Sequence, residues 1–473
     1  MRPLIVDNFA GGGGASAGIE AALGQPIDYA INHDAEAIAM HRANHPHTRH
    51  LQTSVWDVNP RKLCAGRSVS LGWFSPDCTF HSKARGGKPF RERDTARRRR
   101  GLAWLVPYWA KAVRPRVIML ENVEEFADWG PLLDDGKICP IRRGMTFLRW
   151  HRMIENLGYQ VDMRVLRAAD YGAPTTRKRL FVIARCDGEE IVFPEATHGP
   201  GLTPYRTAAE CIDWSIPCPS IFERERPLVE ATMRRIARGV MRYVVNNPQP
   251  FIVTLRGTER AHIDASAKSV DSPLRTISAN GNHHALVSPA LINTRNGERA
   301  GQAPRVRSIE APYPTVTAIG SQGALVAAFL ARHYGGHEND GSAMRSPMRT
   351  ITTKDHHALV MAFLLKYYGT DQNPGLSRPL DTVTTKDRFG LVMVRGQPHR
   401  IVDIGMRMLT PRELYHAQSF PPGYIIDRGA SDDGEVVLSK AAQVRMCGNS
   451  VPPAVAEALV RANCVEQRAE IGA

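Results

Sequence analysis

The chain has 473 residues, 43% hydrophobic and 23% charged. That composition excludes a disordered or collagen-like polymer and leaves room for two or three domains. A formal net charge of +14 and a pI near 9.6 point to a polyanionic partner, of which nucleic acid is the commonest. No apolar run is long enough for a bilayer, and the N-terminal stretch is too short in apolar length for a signal peptide. Eight cysteines (64, 78, 139, 186, 211, 218, 447 and 464) form no Cys-x-x-Cys pair, so neither a zinc cluster nor a disulfide framework is expected, and a reducing, cytoplasmic setting fits best.

In chain order, short apolar runs alternate with helical patterns over the first two hundred residues. Strands are predicted at Leu4–Val6, Tyr29–Ile31, Leu71–Phe74, Val117–Leu120 and Leu180–Ala184, and helices at Ala15–Leu23, Glu36–Asn44, Leu102–Val113 and Thr146–Leu157. Such alternation predicts an α/β fold, a mostly parallel sheet with helices on both faces, whose ligands sit beyond the carboxyl ends of the strands.

Each candidate motif follows one of these strands. Asp7-Asn8-Phe9-Ala10-Gly11-Gly12-Gly13-Gly14 reads as a strand, a glycine loop and a helix start. Glycines such as Gly11, Gly13 and Gly14 let a backbone approach a ligand closely; Phe9 and Ala10 precede them, and an aromatic there suits stacking on an adenine. Ribose and adenine contacts are expected at Asn32, Asp34 and Asp57. Ser75-Pro76-Asp77-Cys78 sets a cysteine on a proline-stiffened turn. From His81 to Arg100 come nine basic residues against Glu92 and Asp94, a charge expected to favour a thiolate and to offer Ser82, Lys83, Arg85, Arg97 and Arg98 to phosphates. A run of charge is ordinarily a solvated face; its position directly after the cysteine favours a site. Glu121-Asn122-Val123 ends a buried strand, where a carboxylate is costly without a purpose. Gly172-Ala173-Pro174-Thr175-Thr176-Arg177-Lys178-Arg179 places two arginines on one side of an extended chain.

Between 245 and 395 the texture changes. Pro273, Pro312, Pro347 and Pro379 open four related segments at spacings of 39, 35 and 32 residues, each leading to an Ala-Leu-Val or Leu-Val run. The β-branched, threonine-rich character predicts stacked β hairpins. Basic groups at the strand ends, Arg256, Arg295, Arg332, Lys354, Lys366 and Lys386, read either as solvated edges or as a DNA-reading surface, and the second is favoured because no other segment offers a reader. The pairs His283/His284 and His356/His357 point different ways along an extended chain, and no metal site is expected.

The order of Phe-Ala-Gly loop, Ser-Pro-x-Cys, Glu-Asn-Val and Gly-x-Pro-x-x-Arg-x-Arg resembles that of the cytosine-5 DNA methyltransferases. Leu409-Thr-Pro-Arg-Glu-Leu-Tyr-His-Ala-Gln-Ser-Phe-Pro421 and Gly448-Asn449-Ser450-Val451-Pro452-Pro453 extend the likeness. The resemblance implies a Rossmann-like domain that uses S-adenosylmethionine, formed by residues 1–225 and completed by 400–473, with a smaller β-rich, repeat-containing target-recognition domain at 245–395. It implies Cys78 as nucleophile, Glu121 at the base N3, Arg177 and Arg179 at its O2 side, and Asn449, Ser450 and Val451 among the cofactor contacts. Its prokaryotic and phage members act alone on double-stranded DNA, so a cytoplasmic, nucleoid-associated monomer is expected, with a cognate restriction endonuclease as a further partner. Departures from the pattern are Asp77 and Thr79 around the nucleophile, Thr175, and Asn32 where the family carries an acid. Asp77 in particular would raise the thiol pKa unless it points away or meets an arginine. An amino-methyltransferase, an inactive DNA-binding regulator and an RNA cytosine methyltransferase are the rival readings.

Overall fold

The computed structural model describes residues 2–81, 93–211 and 409–465, scattered positions between 213 and 227, and the backbone of strands between 251 and 408. The chain packs as two units, one of Met1–Ala173, Arg177–Pro204 and Gln418–Ala473, the other of Pro174–Thr176 and Tyr205–Ala417.

The first unit is built on seven strands: β1 (Leu4–Asn8), β2 (Tyr29–Asn32), β3 (Arg49–Gln52), β4 (Val69–Phe74), β5 (Val117–Asn122), β6 (Gln160–Arg167) and β7 (Lys178–Arg185). Their order is β3-β2-β1-β4-β5-β7-β6. The first five run parallel, whereas β7 pairs antiparallel with both β5 and β6. β1 and β5 are buried along their whole length, which is why they begin as apolar runs, Leu4–Val6 and Val117–Leu120, with polar residues only at their carboxyl ends: helices cover both faces. Leu4 and Val6 join a core with Trp109 and Trp150, while Ile5 joins one with Ile19, Trp73 and Leu459. That alternation is the period-two geometry of a strand between two layers.

Helices α1 (Gly14–Leu23), α2 (Ala35–Asn44), α3 (Pro60–Cys64), α4 (Arg93–Arg100), α5 (Leu105–Val113) and α6 (Met145–Glu155) lie between the strands. Pro60 opens α3 at its first helical position, where a missing N–H costs nothing. Near the C-terminus come α7 (Pro411–Ala417), α8 (Lys440–Asn449) and α9 (Pro453–Cys464). α8 and α9 belong to the first unit, and α9 supplies Val455, Ala456, Leu459 and Val460 to the core beside α1. Among the described residues, no helix is long and apolar enough to cross a membrane.

In the second unit, Gly323–Arg332, His357–Lys366 and Gln397–Met408 form an antiparallel ladder whose second pairing shifts register between Phe363 and Leu364. The Ala-Leu-Val runs of the second and third sequence repeats thus continue through Phe-Leu into single ten-residue strands and pair with each other, Ala327 opposite Ala362. In the first repeat the equivalent stretch is two short strands, Ala285–Leu286 and Ala290–Asn293. Pro289 lies between them in sequence, and a proline has no N–H to give a central ladder.

Candidate active site

The strand order reverses direction between β1 and β4, and the chemistry-bearing residues collect at the carboxyl ends of the strands around that point, where α/β sheets leave a crevice. After β1 the chain turns sharply. Phe9 takes a left-handed conformation with φ 67°, unusual for a bulky residue, while its amide and that of Ala10 both donate to the Ile31 carbonyl at 3.0 and 3.2 Å. This ties the loop to the end of β2, where Asn32 sits. The four glycines then divide by task. Gly11 needs φ 55°, and a Cβ there would meet only the Phe9 carbonyl at 3.8 Å, so its side faces space. A Cβ on Gly13 would fall 2.1 Å from Tyr424 Oη, and one on Gly14 would fall 2.0 Å from Ser450 Oγ and 2.3 Å from the Val451 carbonyl oxygen. Gly13 and Gly14 are therefore required by packing against the C-terminal segment. Ser450 and Val451 are buried on that contact, Val451 within the core; Asn449 is exposed.

The loop is held from below by Tyr424, whose hydroxyl donates to the Gly12 carbonyl at 2.7 Å and lies 3.0 Å from His45 Nε2. His45 Nδ1 in turn lies 2.8 Å from Glu20. None of the sequence motifs contains Tyr424. A second buried chain runs beside it. Ser16 Oγ donates to Asp7 at 2.6 Å and contacts His41 Nε2 at 2.9 Å, and His41 Nδ1 meets His50 at 2.8 Å. Burial, only partly opposed by the Ser16 hydrogen bond, pushes the Asp7 carboxyl up to about 7; burial likewise drives His41 well below its ordinary value.

Asp34 is the N-cap of α2, accepting from the Ala37 amide at 3.2 Å, and is ion-paired with Arg445, which also holds Glu36 at 2.6 Å. Burial works against its ionisation, but Arg445 and the capping amides outweigh that and hold it below the usual carboxylate range. Asp57 is exposed, its amide closing a turn onto the Ser54 carbonyl. Both polar atoms of the buried Asn8 amide lack a hydrogen-bond partner, which leaves unused hydrogen-bonding capacity at the strand end beside the open Gly11. A nucleoside-bearing cofactor fits this loop.

Cys78 stands on the turn after β4, with its carbonyl accepting from the His81 amide at 3.0 Å. Buried Asn122, at the end of β5, donates from Nδ2 to the Pro76 carbonyl at 3.0 Å, fixing the turn to the strand that carries Glu121. Glu121 is buried and ion-paired with Arg179 at 3.0 Å, with Arg177 at 3.8 Å. Both arginines do lie toward one side, and they differ in duty. Arg177 Nη1 donates to the Gly448 carbonyl at 3.0 Å, joining β7 to the end of α8; its burial lowers the guanidinium pKa to about 9.

The expected thiolate is corrected by this geometry. Burial pushes the Cys78 thiol up to about 11; Arg179 and Arg177 oppose the shift, Glu121 and Asp77 add to it. Among the described residues, the charges that bear on the thiol are these four; Arg99 of the basic run is instead paired with Asp77, 2.9 Å away. Arg97 and Arg98 are exposed on α4, Arg97 beside Asp94 at 3.7 Å. Ser82, Lys83 and Arg85 lie outside the described residues, as do Arg256, Arg295, Lys354 and Lys386. Arg332 and Lys366 close the two long strands of the second unit, opposite His357 and His399 in register.

The site thus joins a doubly wound α/β sheet, whose first loop suits a nucleoside-bearing group, to a cysteine after β4, a carboxylate at the carboxyl end of β5 and two arginines at the entry to β7. The family model for C-5 cytosine-specific DNA methylases matches residues 4–206 and 330–464, and the chain belongs to that family. Among curated relatives, Type II methyltransferase M1.HphI of Haemophilus parahaemolyticus is 29% identical over 216 residues, 45% of this chain and 52% of its own length. Type II methyltransferase M.AgeI of Thalassovita gelatinovora is 30% identical over 202 residues, 41% of this chain and 42% of its own. The chain thus spans about half the length of these relatives. A solved variant of Spodoptera frugiperda DNMT2 aligns over 98% of this chain and 99% of its own at 13% identity and a TM-score of 0.48.

Proposed function

We propose that this chain is a site-specific methyltransferase that places a methyl group on carbon 5 of a cytosine flipped out of double-stranded DNA, through a covalent bond from Cys78 to carbon 6. The observation that carries the reading is the meeting of Glu121 with Arg179 and Arg177 beyond β5 and β7, tethered through Asn122 to the turn that presents Cys78. S-adenosylmethionine, bound at the Phe9–Gly11 loop with Asn32 close by, supplies an electrophilic methyl group. Carbon 5 of cytosine is a weak nucleophile. Cys78 adds to carbon 6 as its thiol proton is relayed through the Glu121 carboxylate to N3, so that the ring gains the sulfur and the proton together and becomes an enamine. Arg179 holds the O2 side and offsets developing charge. With the methyl group that S-adenosylmethionine would supply in place on carbon 5, and the cofactor left as S-adenosylhomocysteine, loss of the carbon 5 proton to solvent and return of the N3 proton to the departing Cys78 sulfur restore the ring.

A raised thiol pKa means the resting enzyme stores Cys78 protonated. Proton loss is therefore part of the bond-forming step and is favoured only once a base sits against Glu121 and Arg179. Flipping costs a few kcal/mol, which phosphate contacts must offset; exposed Arg97 and Arg98 are suited to them. The repeat segment 245–395 is assigned the reading of the target sequence, and the Type II relatives favour a restriction–modification setting. Bisulfite sequencing of DNA from cells expressing the chain should show protected cytosines in one sequence context, and none with Cys78→Ala. Protection that persists in Cys78→Ala would refute the reading.

A further inference from the structure

Asp77 departs from the family pattern at the position next to the sulfur, and its surroundings explain how the site accommodates a negative charge there. Its Oδ1 accepts from the Thr79 amide at 2.8 Å and from the Thr79 hydroxyl at 2.5 Å, closing a side-chain-capped turn around Cys78. Its Oδ2 accepts from Arg99 Nη1 at 2.9 Å. The Arg99 guanidinium also lies over the Phe80 ring, 5.9 Å from its centre. Both of these Arg99 contacts fall on residues 77–80. Arg97, two residues earlier on the same helix, pairs among the described residues with the exposed Asp94 at 3.7 Å.

We infer that Arg99 and Asp77 form a clamp that holds the nucleophile turn from the α4 side, in addition to the Asn122 tether from β5, so that Arg99 is a positioning residue and not a phosphate ligand. The two departures from the family, Asp77 and Thr79, are then one device: the carboxylate shapes the turn through Thr79, and Arg99 offsets its charge. The inference rests on Cys78 being the nucleophile. The charged groups facing the sulfur are Arg177 and Arg179 from the β7 side, Glu121 from β5 and Asp77 from its own turn. Arg99 acts on it only through Asp77.

The clamp is tested on the full chain without DNA, by the rate at which iodoacetamide alkylates Cys78 at pH 8, followed on the Cys78 peptide by mass spectrometry. Below its pKa a thiol reacts in proportion to its thiolate fraction. An exposed ion pair changes such equilibria only modestly, so each single variant should move the rate by about threefold. Arg99→Ala leaves Asp77 uncompensated and slows alkylation; Asp77→Asn removes the charge and speeds it; the double variant matches Asp77→Asn; Arg99→Lys restores a near-native rate. In DNA binding, Arg97→Ala should reduce the log–log salt slope by about 0.9, the value for one phosphate contact, whereas Arg99→Ala should leave it unchanged. An unaltered Cys78 rate in both Arg99→Ala and Asp77→Asn, or a slope that falls by a full contact in Arg99→Ala, overturns the inference. These rates do not depend on methyl transfer, so an inactive chain with the expected pattern would count against the proposed reaction and leave the clamp standing.

Discussion

Replacing Gly14 with alanine separates packing from cofactor approach as the reason for the glycine run. Gly14 is the first residue of α1, and its backbone is helical, so helix propensity alone would favour alanine by up to about 1 kcal/mol. The structure predicts the opposite sign. The new methyl group would lie 2.3 Å from the Val451 carbonyl oxygen and 2.0 Å from Ser450 Oγ, roughly 1 Å closer than van der Waals contact allows. Ser450 can rotate, but the Val451 carbonyl is backbone and Val451 itself is locked in the core. Relief requires the loop before α9 to move away from α1. Overpacking of this kind costs about 1–3 kcal/mol and sometimes more; contacts this short on backbone sit at the upper end, and less the propensity gain the net should be about 2 kcal/mol. At roughly 2–4 °C per kcal/mol for a unit of this size, the melting temperature should fall by about 4–8 °C, with a matching drop in the denaturant midpoint. Gly24→Ala is the control: its φ of 65° disfavours alanine, but nothing lies within 4 Å, so about 1 kcal/mol is expected. A Gly14→Ala variant that melts within 2 °C of the parent would refute the packing account.

Tyr424→Phe removes the hydroxyl that joins the Gly12 carbonyl to His45. It should cost about 1–3 kcal/mol and weaken S-adenosylmethionine binding several-fold by calorimetry, while unchanged affinity and melting would contradict the loop-holding role. Asp7→Asn tests the buried carboxyl. Its folded pKa of about 7 lies above the ordinary 3.8, so the folded state holds the extra proton, and parent stability is lost as pH rises through that interval and is level above it. Between pH 5 and pH 8 the variant should gain about 3 kcal/mol relative to the parent in urea denaturation, from roughly two pH units at 1.36 kcal/mol each; parallel stability profiles would exclude the shift.

The buried centre of the sheet was legible because strands covered on both faces must be apolar throughout: Leu4–Val6, Val117–Leu120 and Leu180–Ala184 all lie inside observed strands. The two strands missed, β3 and β6, are the edges. Arg49-His50-Leu51-Gln52 is polar at three positions, and β6 is exposed along most of its length, so neither carries a burial signal. The expectation of a mostly parallel sheet holds, with five strands parallel; the antiparallel hairpin of β6 and β7 leaves no trace in composition. At the site, Cys78, Glu121 and the arginine pair were readable from position after a strand. The second duty of the glycine run was not, since its cause is Tyr424, Ser450 and Val451, more than four hundred residues away in the chain. Nor could sequence settle the thiol, because desolvation and the capture of Arg99 by Asp77 are consequences of packing.

The account stands or falls on a bond from Cys78 to the ring of the target base. Duplex DNA bearing 5-fluorocytosine in the methylated context, incubated with S-adenosylmethionine, should yield a denaturation-stable complex, because fluorine cannot leave as the carbon 5 proton does. Mass spectrometry should place the modified nucleotide on the Cys78 peptide, and Cys78→Ala should give no complex. Failure to trap the enzyme on DNA that it methylates when unsubstituted, or attachment at another side chain, would contradict the central claim.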